Sequence, residues 1–534
     1  MLNAAPFARA ALLARLRAQR SWDLAVIGGG ATGLGVALDA AARGLQVLLL
    51  ERGDFAQGSS SRATKLVHGG VRYLAQGDVP LVHEALRERA TLLANAPQVA
   101  QPLAFVVPGY RLWELPFYGA GLKAYELLAG RRSLGPTELL GAARTRELLP
   151  GVRRDGLLGG IRYWDGQFDD ARLAVLLART AISRGALALN HCPVDGLLHE
   201  QARVCGVRAH DAETGEAFAL RARCVVNAAG VWVDAVRALD RDRDAPPRPP
   251  MVAPSQGVHL VVDHAFLPGQ HALLVPRTRD GRVLFALPWL GKTLLGTTDT
   301  PRADAAAEPA ALPAEVAFLL QESARYLARP PTRADVRAVW AGLRPLVRPA
   351  GDDGSEDTKA VSREHVVRVS RSGLVTVTGG KWTTYRAMAE DVLECAMTHG
   401  LLPRRPGGVT ERLALLGAAP GRPLGDPPGE HLYGSEAPAL RALPGADRWL
   451  WRDPESGSAA LSEAMVRFAL RCELARRLDD VLARRARLLF LDAAAAAALA
   501  EPVAALIEEE TGRRVSAVER ADFAALAQQY RTPP

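Results

Sequence analysis

At Gly28-Gly29-Gly30-Ala31-Thr32-Gly33 the chain places glycines at all three positions of a G-x-G-x-x-G turn. Such a turn does its chemistry through the backbone. The first glycine permits a tight bend, the second lets amides approach a pyrophosphate, and the third lets the following helix pack close to the preceding strand. Glu51, at the end of the next apolar run, is an acceptor for ribose hydroxyls. A second backbone site lies at Gly379-Gly380, where the apolar run 374–378 breaks before a helical stretch and presents the ammonium of Lys381. His68 and His259 are the candidate proton acceptors, because an unperturbed imidazole titrates at a pH of about 6.5. The residues alone leave the choice between them open.

The elements that must position these residues surround them. Leu24-Ala25-Val26-Ile27 has the length and composition of a buried parallel strand. An alanine-rich helical stretch runs from the turn to Arg43, Gly44 caps it, and 46–50 forms a second apolar strand ending at Glu51. A lone glycine motif is weak. Strand, turn, helix, strand and terminal acid in register predict a Rossmann-like nucleotide domain. No second glycine motif follows, so a separate nicotinamide site is not evident, and FAD is favoured over NAD. Cys224-Val225-Val226-Asn227-Ala228-Ala229-Gly230 reads as another short strand that returns to the same sheet, as a nucleotide domain interrupted by a second domain requires.

The whole chain sets wider bounds. At 534 residues two or three domains are expected, and an apolar fraction of 48% with 23% charged residues is that of a globular protein. The net charge of +8 suits an anionic substrate, a lipid surface or nucleic acid without choosing among them. An aromatic content of 6% argues against base-stacking modules, so no nucleic-acid partner is expected. The five cysteines form no Cys-x-x-Cys pair, which makes a metal site or disulfide framework unexpected and a reducing compartment the simpler setting. No apolar run reaches the roughly 18 residues of a membrane span. Residues 7–20 combine leucines with arginines and read as a short basic amphipathic helix, with a membrane-surface anchor as the sharper alternative.

Ser59-Ser60-Ser61-Arg62-Ala63-Thr64-Lys65-Leu66-Val67-His68-Gly69-Gly70-Val71-Arg72-Tyr73-Leu74 resembles the FAD-dependent, quinone-linked glycerol-3-phosphate dehydrogenases and their oxygen-using oxidase relatives. The resemblance covers most of the chain. It reappears at Asp169-Asp170-Ala171-Arg172-Leu173, Asn227-Ala228-Ala229-Gly230-Val231-Trp232, Gly257-Val258-His259-Leu260 and Leu287-Pro288-Trp289. It continues at Gly296-Thr297-Thr298-Asp299, Gly342-Leu343-Arg344-Pro345-Leu346, Ser362-Arg363-Glu364 and, most strongly, Gly379-Gly380-Lys381-Trp382-Thr383-Thr384-Tyr385-Arg386. It implies an α/β fold in which a Rossmann-like FAD-binding domain is interleaved with a mainly antiparallel β-sheet substrate domain, plus a helical C-terminal domain. The expected division is 20–100 and 221–250 in the FAD domain, closed by 346–400. The substrate domain takes 101–220, with interleaved FAD-domain segments, and 251–345. A helical cap at 401–534 completes the chain, with a Pro/Gly-rich linker at 402–429 and a helical bundle at 463–494.

The resemblance also implies the site. Gly28, Gly29, Gly30, Ala31, Thr32, Gly33, Glu51, Arg52, Ser59, Ser60, Ser61, Lys65, His68, Gly69, Gly70, Ala229, Gly230, Gly379, Gly380, Lys381 and Thr383 are expected to bind FAD. Arg72, Tyr73, Thr298, Arg344, Arg363 and Lys381 are expected around the substrate, with Tyr73 and Thr298 as hydrogen-bond donors. Guanidinium forks suit phosphate oxygens because each donates two parallel hydrogen bonds. His68, His259, Arg344 and Lys381 are the expected catalytic set, and no metal is expected. The implied reaction is oxidation of glycerol 3-phosphate with electrons passed to a membrane quinone. A glycerol-3-phosphate oxidase using oxygen, or an amine or amino-acid oxidase, is the alternative. Glu364-His365 and Trp382 depart from the family pattern.

Residues 107–132 combine Tyr110, Trp113, Phe117, Tyr118 and Tyr125 with Arg111, Lys123, Arg131 and Arg132. Aromatic rings and cations together suit a lipid headgroup layer. The expectation is a cytoplasmic protein held peripherally on the inner face of the cytoplasmic membrane, its partners being glycerol 3-phosphate, quinone and the lipid surface. A homodimer is compatible with the resemblance.

Overall fold

The computed structural model describes residues 4–74, 78–240, 249–348 and 365–533, the side chains of Arg72, Tyr73 and Ala459 lying outside the description. The run beginning at Leu24 is strand Ser21–Ile27, with Leu24, Ala25 and Val26 buried. It pairs in parallel with Val47–Leu50 on one side and with Ala217–Asn227 on the other. The latter is the return strand expected around 224–230. Leu374–Gly379 and Leu187–Leu189 extend the parallel sheet outward, and His365–Val369 closes one edge antiparallel. Such strands are continuously apolar because helices cover both faces. The helix Ala31–Ala42 packs between Asp170–Ser183 and Tyr385–Thr398. Its small residues permit that closeness: a Cβ on Gly35 would lie 2.9 Å from the Tyr385 ring.

The second sheet runs Thr300–Pro301, Val252–Asp263, Lys292–Gly296, Leu284–Trp289, Ala272–Val275, Ala100–Gly109, Gly159–Phe168, Leu66–Val67. Val336–Val347 pairs along the length of Val252–Asp263. All its pairings are antiparallel except that of Ala272–Val275 with Ala100–Gly109, so the mainly antiparallel sheet expected from the sequence is present. The chain crosses between the two sheets more often than local patterns indicate. Leu66–Val67, inside the expected first FAD segment, pairs with Gly159–Phe168 of the second sheet. Helix Asp170–Ser183 and strand Leu187–Leu189, inside 101–220, belong to the nucleotide layer. Short apolar strands look alike in sequence; tertiary pairing decides which sheet they join.

The tail is mainly helical, with Glu463–Cys472, Ala500–Thr511 and Ala517–Arg531 as its longer helices and one small hairpin, Trp449–Arg452 with Ala459–Ser462. The expected helical run 463–494 is interrupted, because Leu474 and Arg487 adopt left-handed backbone angles of 58° and 63° in φ. The Pro/Gly-rich stretch 402–429 is a docked strap. Leu415 donates its amide to the Asn95 carbonyl at 2.9 Å, and Leu290 donates to that of Leu424 at 2.7 Å. At the other end, helix Arg9–Ala18 buries Leu12, Leu13 and Leu16, and Arg9 pairs with Asp211. Its leucines are committed to the core, which removes the anchor reading of 7–20.

The tightest constraint in the nucleotide layer is at Gly33, where a Cβ would lie 1.9 Å from the Gly28 carbonyl oxygen. Gly33→Ala should push the helix off the strand and destabilise the protein by about 1–3 kcal/mol or more. Urea unfolding checks this; an unchanged midpoint would show that the close approach is dispensable.

Candidate active site

A cavity of about 1940 Å³ lies between the two layers. That exceeds the roughly 300–1,000 Å³ of an ordinary single-ligand pocket, and it leaves room for a large cofactor and a second molecule. Gly28, Gly30, Ala31, Thr32, Glu51 and Arg52 line one end, and His68, Gly70, Ala229, Gly230, Gly379, Gly380, Lys381 and Thr383 line the middle. His259, Thr298 and Arg344 line the far end, and an apolar arm reaches Trp113, Phe117 and Tyr118. Cations outnumber carboxylates along the walls, which suits an anionic ligand.

Gly28 has φ of +110°, and a Cβ there would meet the Ala228 carbonyl oxygen at 2.7 Å. Gly30 precedes helix Ala31–Ala42, and Gly30, Ala31 and Thr32 line the cavity, so the positive end of the helix opens on it. A pyrophosphate fits that end. Glu51 accepts the amides of Gly29 at 2.7 Å and Gly53 at 2.8 Å. Burial pushes its carboxyl above the ordinary glutamate range, and those two amides oppose the shift. A carboxylate has about four acceptor positions, so hydroxyls of a ribose can share it. The Arg52 guanidinium lies 4.0 Å from the Trp232 ring, and both residues line the cavity. Trp232 was not singled out in the sequence, though its motif was. These features fit FAD.

The serine turn divides its work. Ser59 donates to the Leu343 carbonyl and so ties the turn to the second sheet. The Ser60 hydroxyl accepts the Ala31 amide at 3.0 Å. Ser61 and Lys65 stand behind the cavity wall, contrary to the expectation that they bind cofactor. Lys65 is fully buried, and its Nζ donates to the Ser61 carbonyl at 2.8 Å and to Asp170 at 2.7 Å. Trp340 and Trp289 face it at 4.6 and 5.2 Å. Burial brings the Lys65 pKa down to about 7, with Asp170 opposing. Gly29 and Gly33 shape the nucleotide turn from within, and Gly69 donates its amide to the Tyr125 hydroxyl at 2.8 Å. Tyr125 is thus buried structure, not part of a surface belt.

At the far end, His259 stacks on Trp340 with ring centroids 4.2 Å apart. Its Nε2 lies 3.0 Å from the Thr64 hydroxyl, and its buried Nδ1 has no hydrogen-bond partner among the described residues. Burial, then the charges of Lys65 and Arg344, hold its pKa well below 6.5. The imidazole is neutral at physiological pH and a weak base. Thr298 also differs from expectation. Its hydroxyl donates to Glu315 at 2.9 Å and accepts the Val258 amide at 2.9 Å, so its one proton is not available to a substrate. Thr298 instead builds the turn that orients Arg344. That guanidinium donates to the Thr297 hydroxyl at 3.2 Å and the Thr298 carbonyl at 3.1 Å, and it pairs with Asp299 at 3.3 Å.

Glu315 holds this turn from behind. Its carboxylate accepts from Thr298, Thr300 at 2.7 Å, Gln256 at 2.7 Å and the Leu312 amide at 2.9 Å. Sequence reasoning missed Glu315; its signal is the position three residues into a helix that begins Pro313-Ala314, where a glutamate caps the N-terminus. Lys381 opens the turn Trp382–Thr384 after Gly379 and Gly380, whose φ values are +84° and +76°. Thr383 donates to the His68 carbonyl at 3.4 Å and links that wall to the histidine segment. Arg363 and the side chains of Arg72 and Tyr73 lie outside the described residues.

With this geometry established, comparison with known proteins gives a consistent result. The FAD dependent oxidoreductase family matches residues 23–386, and the C-terminal domain of alpha-glycerophosphate oxidase matches 430–517. The chain is 41% identical to the mitochondrial glycerol-3-phosphate dehydrogenase of Homo sapiens over 93% of its own length and 71% of the relative's. The crystal structure of the glycerol-3-phosphate dehydrogenase from Bacillus halodurans, complexed with FAD, superposes with a TM-score of 0.76 at 29% identity, covering 99% of both chains. Glycine oxidase from Geobacillus kaustophilus shares the fold alone, with a TM-score of 0.53 at 21% identity over 75% of this chain and 100% of that one.

Glu315→Gln sets an amide NH₂ against hydroxyl or amide donors that now meet a carboxylate. The expected cost is about 1–3 kcal/mol of unfolding free energy, read from chemical denaturation. A variant as stable as the parent would mean that the turn beneath Arg344 does not depend on the carboxylate.

Proposed function

The chain belongs to the FAD-dependent glycerol-3-phosphate dehydrogenase family, and from that membership and the cavity we propose that it oxidises sn-glycerol 3-phosphate to dihydroxyacetone phosphate and passes the electrons to a membrane quinone. The observation that carries this reading is Arg344, fixed by three partners on the turn 297–299 and lining the same cavity as the glycine-capped helix. A guanidinium held in this way is pre-organised for an anionic substrate.

The residues divide the work as follows. Gly28, Gly30, Ala31 and Thr32 hold the pyrophosphate of FAD by backbone, Glu51 its ribose, and Ser60, Gly70, Ala229, Gly230, Gly379, Gly380 and Thr383 the walls around the rest. Bound FAD supplies the acceptor for the hydride that leaves the substrate's secondary carbon. His68 takes the hydroxyl proton at its imidazole. His259, stacked on Trp340 with its Nε2 against the Thr64 hydroxyl, is left as a hydrogen-bonding group. Arg344 grips the phosphate end, with Arg363, Arg72 and Tyr73 completing the grip on the strength of their motifs. Lys381 places positive charge on the wall where negative charge develops.

One surface supports the reading of the electron acceptor and the place of work. Leu112, Trp113, Phe117 and Leu127 are exposed on and beside helix Glu114–Ala129, with Arg111, Lys123, Arg131 and Arg132 exposed around them. Trp113 and Phe117 also line the apolar arm of the cavity. An apolar patch rimmed by cations suits the headgroup layer, and a lipid-soluble quinone reaches the cavity through it. Among the described residues no helix is long and apolar enough to cross a membrane. We place the protein peripherally, on the inner face of the cytoplasmic membrane.

Two experiments test the reading. Anaerobic mixing of the holoprotein with sn-glycerol 3-phosphate should remove the flavin's visible absorbance, while glycerol should act far more slowly. Arg344→Ala should slow the reaction by roughly 10–100-fold, the value of a charge-assisted hydrogen bond, without changing FAD content. Equal rates with glycerol and its phosphate would sink the arginine assignment. In the second experiment, the protein should float with vesicles containing anionic lipid, and Leu112→Ala with Lys123→Ala and Leu127→Ala should release it while leaving the anaerobic reaction intact. A parent protein that stays free of vesicles at low salt would overturn surface docking and favour oxygen as acceptor.

A further inference from the structure

The loop 51–65 between Val47–Leu50 and Leu66–Val67 has two sides. Arg52, Gln57, Gly58, Ser60 and Thr64 line the cavity. Asp54, Ser61 and Lys65 point away from it and are at most 1% exposed. The loop makes only short-range turn bonds of its own, such as Gln57 N to the Asp54 carbonyl and Arg62 N to the Ser59 carbonyl, both at 3.1 Å. Partners outside the loop also fix its shape.

One of those partners is the C-terminal cap. Asp54 accepts Arg484 Nε at 2.5 Å and Arg485 Nη2 at 2.9 Å, and it accepts Asn190 Nδ2 at 2.9 Å from the nucleotide layer. Each arginine is tied back into the cap. Arg485 donates to the Glu473 carbonyl at 2.7 Å, and Arg484 to Asp479 and Asp480 at 2.6 and 2.8 Å. Further along, Arg487 donates to the Ser61 carbonyl at 3.0 Å and to Asp170 at 3.1 Å. The Ser61 carbonyl thereby receives both Lys65 and Arg487 on the face opposite the cavity.

We propose that the cap is a clamp on the FAD-binding loop, with Arg484, Arg485 and Arg487 as positioning residues that set how tightly FAD is held. The proposal rests on FAD occupying the cavity described above. A cap that only covered an apolar face would be served as well by apolar contacts, since a buried ion pair gains little over a hydrophobic substitute. Charged partners instead fix register: Asp54 is compensated only when these guanidinium groups stand opposite it, and a buried carboxylate that loses its cations is strongly unfavourable. None of residues 480–491 is among those lining the cavity; Arg484 and Arg485 meet the loop at Asp54, and Arg487 meets it at Ser61.

Coupling of this kind is reciprocal: if the cap tightens FAD binding, FAD must tighten the cap by the same factor. The test uses the full-length protein stripped of FAD and titrated with it, read by flavin fluorescence. Arg485→Met should weaken FAD binding on the order of tenfold or more, and Arg485→Lys should recover part of the loss. Arg467→Ala serves as control, because Arg467 pairs with Glu509 and Glu510 inside the cap and touches no cavity loop. It should lower the melting temperature with little change in FAD affinity. Weakening of FAD in proportion to lost stability in both variants, or in neither, overturns the clamp. If Arg485→Met does not fold, hydrogen exchange on the unaltered chain decides the question. FAD rebinding should protect amides in 480–491; protection confined to cavity-lining segments overturns the proposal. An unaltered chain that failed to rebind FAD would count against the cofactor reading instead.

Discussion

Lys65, fully buried, donates to the Ser61 carbonyl and the Asp170 carboxylate, and the walls of the cavity depend on that contact. The nucleotide end of the cavity is lined by glycines, because a dinucleotide is read by amides and close-packed backbone. Backbone that faces a cavity on one side must find partners for its polar groups on the other. Behind the serine turn two of those partners are the side chains of Lys65 and Arg487. Asp170 also accepts the Ala63 amide at 3.0 Å, and it begins the helix Asp170–Ser183 that packs against Ala31–Ala42. One carboxylate thus joins the serine turn, the nucleotide helix layer and, through Arg487, the cap.

The same solution recurs where layers meet. Arg386 forks onto Glu88 at 2.7 and 2.8 Å, Arg89 pairs with Asp165 at 2.9 Å, and Arg172 pairs with Glu473 at 2.9 Å, all of them buried. A guanidinium carries five donors in a rigid plane and is weakly hydrated, so it can bridge two elements and still satisfy its neighbours. Around Arg344 the scheme is reversed. There the carboxylates of Glu315 and Asp299 are the struts, and the arginine is the group left facing the cavity.

What could be read from the sequence was what is local. Gly28 to Gly33, the return strand at 224–227 and the break at Gly379-Gly380 are backbone conformations, and backbone preference is written in residue type over a few positions. The partner of a buried charge is not. Arg485 and Asp54 are 431 positions apart, so nothing near either residue announces the other. Arginine is an exposed residue type in general, and across the cap interface Arg484, Arg485 and Arg487 are buried instead. Thr298 and Lys65 were misread for a related reason. Their motif places them near the cavity, but the direction of one hydroxyl proton or one ammonium depends on Glu315 and Asp170, which arrive from distant segments. Tyr125 was read with its aromatic neighbours as surface, whereas the helix turns it inward with Leu122 and Ala129, and Leu127 falls on the opposite side.

That inward turn links the outer surface to the chemistry. Helix Glu114–Ala129 presents Phe117 and Leu127 to the outside, while the Tyr125 hydroxyl accepts the Gly69 amide and donates to Asp165 at 2.9 Å. Gly69 is the neighbour of His68, so the helix that forms the apolar outer surface also fixes the segment carrying the proposed proton acceptor. Burial and the nearby Asp165 raise the Tyr125 pKa well above 10, so the hydroxyl keeps its proton and its donor role throughout the physiological range. On the proposed reading, the surface that meets lipid and the wall that meets substrate are two faces of a single helix. An apolar acceptor entering past Trp113 and Phe117 on that reading reaches the cavity along an apolar path.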